Sequence, residues 1–265
     1  MEDNATFKMP TIDFSAQSLL ILAQFGFFAV FAYWGYEGAT TTSDYIFPLM
    51  MGGAGLALFL SVPNARMGAT LGIPAIMVVW GLAMDEPEIM FWAVFMLIIA
   101  GSIAHLPALA IGDSSLGLDD EARVKRLGQV YVLFSVFMLF MFSSLVDAAM
   151  EGEVIDEDSD GNEIVYTIDS TEQTIGQVGL GMGVLGILVF LLTAVMGTEV
   201  GSARPWHGGL LIAGSVCLDQ YIWIAIDAGG SSPIPDILLT IAACGIFILT
   251  PCIAYERSSD SSDSE

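Results

Sequence analysis

Apolar residues in this chain come in long unbroken runs, not in the short alternations of strands or the narrow stripes of water-soluble helices. Eight runs stand between polar connections: 17–36, 45–63, 67–84, 89–111, 127–148, 175–197, 207–226 and 235–255. At about 1.5 Å per residue, each can cross a hydrocarbon core about 30 Å thick as a helix. Backbone groups in lipid must be satisfied within their own segment, which favours helices. A barrel would need alternating segments of about ten residues, and these runs do not alternate. The pattern therefore predicts an all-α, polytopic membrane bundle of eight transmembrane helices.

The runs also resemble one another in order. Met51-Gly52, Gly55-Leu56 and Phe59-Leu60 in the second run match Met182-Gly183, Gly186-Ile187 and Phe190-Leu191 in the sixth. An Ala-Arg pair follows each, Ala65-Arg66 and Ala203-Arg204, and the fourth and eighth runs open on Pro87-Glu88-Ile89 and Pro235-Asp236-Ile237. These matches predict two tandem four-helix repeats, 17–126 and 127–255, preceded by a tail 1–16 and followed by an acidic, disordered tail 256–265. Four is even, so the repeats would enter the membrane in parallel, as in some transporters. Gly176, Gly179, Gly183 and Gly186 share one helix face and predict close packing there.

Composition agrees with a membrane protein: 55% of the 265 residues are apolar and only 14% are charged, against about a quarter in soluble domains. Charge then orients the chain. The seven basic residues (Lys8, Arg66, Arg123, Lys125, Arg126, Arg204 and Arg257) fall in the tails or in even-numbered connections. The excess of Lys and Arg on cytoplasmic loops then predicts a cell-membrane protein with both termini in the cytoplasm. The first run lacks a basic flank and a small-residue cleavage site, so it is expected to remain as an anchor. A net charge of −23 argues against nucleic acid as a partner and leaves the lipid bilayer itself, a small solute or ion, a second copy, or a membrane partner subunit.

The longest connection, 149–174, is acidic and is expected outside, between the fifth and sixth runs. Asp156, Asp158 and Asp160 followed by Gly161 open like a calcium loop, but Thr167 stands where the bidentate Glu belongs. The favoured reading is a β-hairpin, "EVIDED" and "NEIVYTID" about a Ser-Asp-Gly turn, and calcium is compatible with it. Cys217, Cys244 and Cys252 all lie in runs and make no zinc pattern.

One residue breaks the apolar pattern at depth. Asp219 sits inside the seventh run, where an acid costs about 2.5–3.5 kcal/mol on insertion scales and so must face protein or water. Ser215, Asp219 and Trp223 share a face, with Asp227 following, and the matching residue of the first repeat is Ile76. The expected site is Asp219 with Ser215, Gln220 and Tyr221 as accessory polar groups, and Gln24 or Thr240 lining the same cavity. Such a site suits proton- or cation-linked movement of a small solute or ion. The alternatives are a scaffold or complex subunit docking through the acidic loop, and a haem or redox carrier through His105 and His207. No lysine lies in a run, which excludes a retinal Schiff base there, and no nucleotide, serine-hydrolase or metalloprotease motif supports an enzyme.

Overall fold

The computed structural model describes residues 12–141, 143–150, 153–157, 163–226 and 233–262. Its helices are α1 (Ala16–Glu37), α2 (Ile46–Phe59), α3 (Ala65–Met84), α4 (Pro87–Ile111), α5 (Asp120–Met141), α6 (Ser143–Met150), α7 (Ser170–Val195), α8 (Pro205–Ile226) and α9 (Ile234–Ser262). Strands β1 (Glu153–Glu157) and β2 (Glu163–Thr167) pair antiparallel, with Ile155 opposite Val165. Among the described residues, six helices are long and apolar enough to cross a membrane: α1, α3, α4, α7, α8 and α9. A seventh candidate is the pair α5 and α6, bent by 55° at their junction.

Two of the eight expected runs therefore take a different form. The run 45–63 yields a single turn, Thr42–Tyr45, and then the 14-residue α2. At about 1.5 Å per residue α2 alone reaches about 21 Å, short of a full crossing. The run 127–148 is divided between α5 and α6, bent by 55°, instead of being one straight helix. The chain divides into two compact units: Met1–Phe134 with Leu249–Glu265, and Ser135–Ile248.

Polar residues set the helix limits. Asp169 caps α7 by accepting from the Thr171 and Glu172 amides at 2.7 and 2.8 Å, while Glu172 accepts from the Asp169 amide at 3.0 Å. Asp85, in the left-handed region at φ 58°, ends α3, and Pro87 starts α4.

In the first unit, Pro107 lies inside α4 and has no N–H to give the Ile103 carbonyl. Buried Gln24 of α1 supplies the missing donor: its Nε2 bonds the Ile103 oxygen at 2.7 Å. Arg123 does the same for the end of α4, donating to the Leu109 carbonyl at 2.8 Å while only 8% exposed. Arg66, at the start of α3, pairs with Asp113 at 2.8 Å and also bonds Ser115. The ends of α3, α4 and α5 are thereby tied at one face of this unit.

In the second unit, the small face of α7 is wedged between neighbours. A Cβ on Gly176 would meet the Ala149 backbone nitrogen of α6 at 2.9 Å. A Cβ on Gly186 would meet the Gly208 carbonyl and the Ile212 nitrogen of α8 at 2.8 and 2.9 Å. The aligned glycine of the other half, Gly55, instead meets Phe28 of the preceding helix α1. Gly186 thus packs on the helix that follows it, and Gly55 on the helix that precedes it.

Two outcomes are expected. Gly186→Ala forces backbone apart and should cost about 1–3 kcal/mol in detergent unfolding, whereas Gly181→Ala, which meets nothing within 4 Å, should be neutral or slightly stabilising. Burial pushes the Asp113 carboxyl up, but bonds from Ser115 and Arg66 outweigh it and hold the group below its usual range. Its contribution is therefore present above the ordinary carboxylate range and lost as pH falls through the lowered value. Asp113→Asn should lower the melting temperature at neutral pH, and that difference should vanish in acid.

Candidate functional site

Asp219 lies 14 residues into α8, about 21 Å along its axis from Pro205 and about 10 Å short of Ile226. It is 7% exposed. Its carboxylate accepts from the Ser144 hydroxyl and from the Leu145 backbone N–H. Both donors belong to the first turn of α6, immediately after the break in the fifth run.

The local chemistry follows from that break. A helix start leaves about four N–H groups without intrahelical partners, and in an apolar surrounding each unsatisfied group costs about 1–3 kcal/mol or more. The dipole of the helix adds a positive partial charge at the same end. A carboxylate from α8 therefore meets an N-terminus that needs an acceptor, and each relieves the other. Hydrogen bonds to a charged group contribute about 1.5–3 kcal/mol each, so two of them are of the same size as the insertion cost of the acid. No lysine or arginine lies between residues 127 and 203 to share this role.

Ser215, one turn before Asp219 on α8, is fully buried, and its Oγ has no hydrogen-bond partner among the described residues. It faces Gly183 of α7, where a Cβ would come within 2.9 Å of that oxygen.

The other expected site residues point elsewhere. Gln220 faces α9, where the Thr240 hydroxyl lies 3.1 Å from its Oε1 and 2.8 Å from the Asp236 carbonyl. Tyr221 is 53% exposed. On the same side of α8 as Gln220, the Cys217 and Cys244 sulfurs are 3.6 Å apart, and Cys244 also approaches the Ala213 carbonyl. Gln24 is occupied by the carbonyls of α4 described above. His207 Nδ1 accepts from the Arg204 backbone N–H at 2.8 Å and so serves the start of α8; His105 is part of α4. Asp156 belongs to β1 opposite Ile164, while Asp158, Asp160 and Asp227 lie outside the described residues. Among the described residues, no three His, Cys, Asp or Glu side chains gather in a way that could hold a metal.

Ser144 is the partner that the sequence reading missed. Its signal was present: Ser144-Leu145-Val146-Asp147 is the Ser-x-x-acid pattern of a helix start, set inside an apolar run. A groove of about 560 Å³ runs beside α6 and α7, lined by Met150, Leu180, Gly181 and Val184 among others, and is apolar. Asp219 is not part of its lining.

No family model matches the chain, and neither a curated protein nor a solved structure matches it significantly.

Replacing Asp219 tests its share in holding α6. Asp219→Asn keeps an acceptor oxygen and should cost little, whereas Asp219→Ala strands the Leu145 N–H and the Ser144 hydroxyl and should cost about 1–3 kcal/mol or more in detergent unfolding. Ser144→Ala should lie between them.

Proposed function

We propose that the protein is a multi-pass membrane protein that moves a small solute or ion, with Asp219 as the proton- or cation-linked group. The observation that carries this reading is a buried carboxylate at the start of a helix that resumes after a break within a span. Interrupted helices whose half-helix ends meet charge near the middle of the bilayer are how secondary transporters build their sites. An ionisable residue at such depth marks a pathway more often than a packing device.

The finer topology in this proposal is eight crossings in two parallel four-helix repeats, with α2 and the turn before it forming the second crossing. Helix starts at Ala65 and Pro205 beside the two Ala-Arg pairs, and at Pro87 and Ile234, support the repeat. Both termini are placed in the cytoplasm and the β1–β2 hairpin outside. Arg66 is tied to the α4–α5 connection at Asp113 and Ser115, and Arg123, Lys125 and Arg126 follow in the first two turns of α5; these four cations at one end of the first unit support this placement.

The test is flux. Purified protein in liposomes should give pH-dependent uptake of a transported solute or ion that Asp219→Asn abolishes to the level of empty liposomes. Equal flux in both would remove Asp219 from the mechanism. Orientation is checked separately: a cysteine introduced beside Arg66 or Arg204 should resist an impermeant maleimide applied to intact cells, and one in the hairpin should react. If deletion of 150–172 removed a co-purifying partner and left flux intact, the hairpin would be a docking surface in its own right.

A further inference from the structure

We infer that the ion taken up at Asp219 is a proton, not a metal cation, and that Ser144 is the positioning residue whose hydroxyl turns to follow it. The inference rests on the translocator reading and narrows it.

The partners of the carboxylate decide between the two ions. Both the Ser144 hydroxyl and the Leu145 amide donate to it. A hard metal cation needs about six oxygen lone pairs around it. Here it would face an N–H hydrogen and the positive end of α6, which places positive charge against positive charge. A proton needs one lone pair, forms one O–H bond on one carboxylate oxygen, and breaks no bond in the protein. It also cancels the charge that the bilayer disfavours.

Ser144 fits both states. A hydroxyl carries one donor and two acceptor lone pairs and rotates to suit its surroundings. With Asp219 ionised, Ser144 donates to it; with Asp219 protonated, the acid O–H donates to Ser144 Oγ and the serine hydrogen turns to a backbone carbonyl. The Leu145 N–H, fixed in α6, bonds a carboxyl oxygen in either state. Protonation thus replaces a charge-assisted pair by a neutral one and weakens the hold of α8 on α6 without leaving a stranded donor.

The ionisable groups on the surrounding helices can be named among the described residues. On α6 the other ionisable side chain is Asp147, one turn beyond Ser144. On α7 it is Glu172, held in the cap of that helix. Arg204 stands before the start of α8, at the end away from Asp219. Cys217 and Cys244 meet each other, with Tyr221 exposed, and Asp236 lies in the first turn of α9.

Infrared difference spectra of the protein in lipid, taken between alkaline and acidic buffer, test this directly. The wild type should show a protonated-carboxyl stretch on acidification that Asp219→Asn loses, with no change when potassium is exchanged for sodium at fixed pH. In Ser144→Ala the band should move to higher wavenumber, and Ser144→Thr should return it, a shift that a merely structural serine would not produce. Absence of the band, or its persistence in Asp219→Asn, would overturn the inference. So would a sodium-dependent carboxylate shift lost in Asp219→Asn, which would make a metal cation the ligand. The flux assay stays separate: titration without flux removes the translocator and keeps the proton site, whereas flux without titration removes the proton.

Discussion

The contact between the Asp219 carboxylate and the first turn of α6 is the constraint on which the second unit depends. It joins two features that would each be costly alone: an acid deep in an apolar helix, and a helix beginning where no water is expected. Because the gain and the insertion cost are both a few kcal/mol, the pairing needs no basic partner. The glycine face of α7 belongs to the same arrangement. Gly176 and Gly179 admit α6, Gly183 admits α5 and α8, Gly186 admits α8, and a side chain at any of them would displace α7 from a helix it supports.

The same logic governs the first unit. Pro107 opens a carbonyl that Gln24 closes from α1, and the last carbonyls of α4 are closed by Arg123 from α5. Both of these openings are answered by a polar side chain from another helix. In water these groups would find solvent; in lipid the fold must supply the partner. Buried polar residues in this chain are therefore best read by asking which backbone group each one serves. By that measure Gln24 and Arg123 have a sufficient structural role. Asp219 is different in kind, because its acceptor is ionisable and its partner Ser144 can reverse its bond.

Much of the helix layout was legible in the sequence, because length of apolar run is a one-dimensional property. Runs such as 89–111 and 235–255 correspond closely to α4 and to the apolar part of α9. The break in the fifth run was not read, since Ser143-Ser144 within Phe, Met and Leu hardly lowers the hydropathy of a window. The depth of Asp219 and the burial of Ser215 one turn away follow from helical spacing. Gln220 and Tyr221, one and two residues on, are rotated by about 100° and 200° around the helix and so leave that face. The pairing of Ser144 with Asp219 was beyond reach for another reason: the two are 75 residues apart in sequence, and only the folded chain brings them together. Of the three aspartates in the calcium reading, Asp156, Asp158 and Asp160, only Asp156 is described, by its backbone.

An ionisable acceptor at the start of a resumed helix gives the chain a place where one proton alters a tie between α8 and α6. The tie itself is measured most directly at the Leu145 amide. Nuclear magnetic resonance of the protein in lipid nanodiscs should find that proton shifted downfield by the charge-assisted bond. It should move upfield in Asp219→Ala, while the Gly181 amide stays where it was. An unchanged Leu145 resonance would mean that the carboxylate does not cap α6, and the account of an acid held at a helix break would fail.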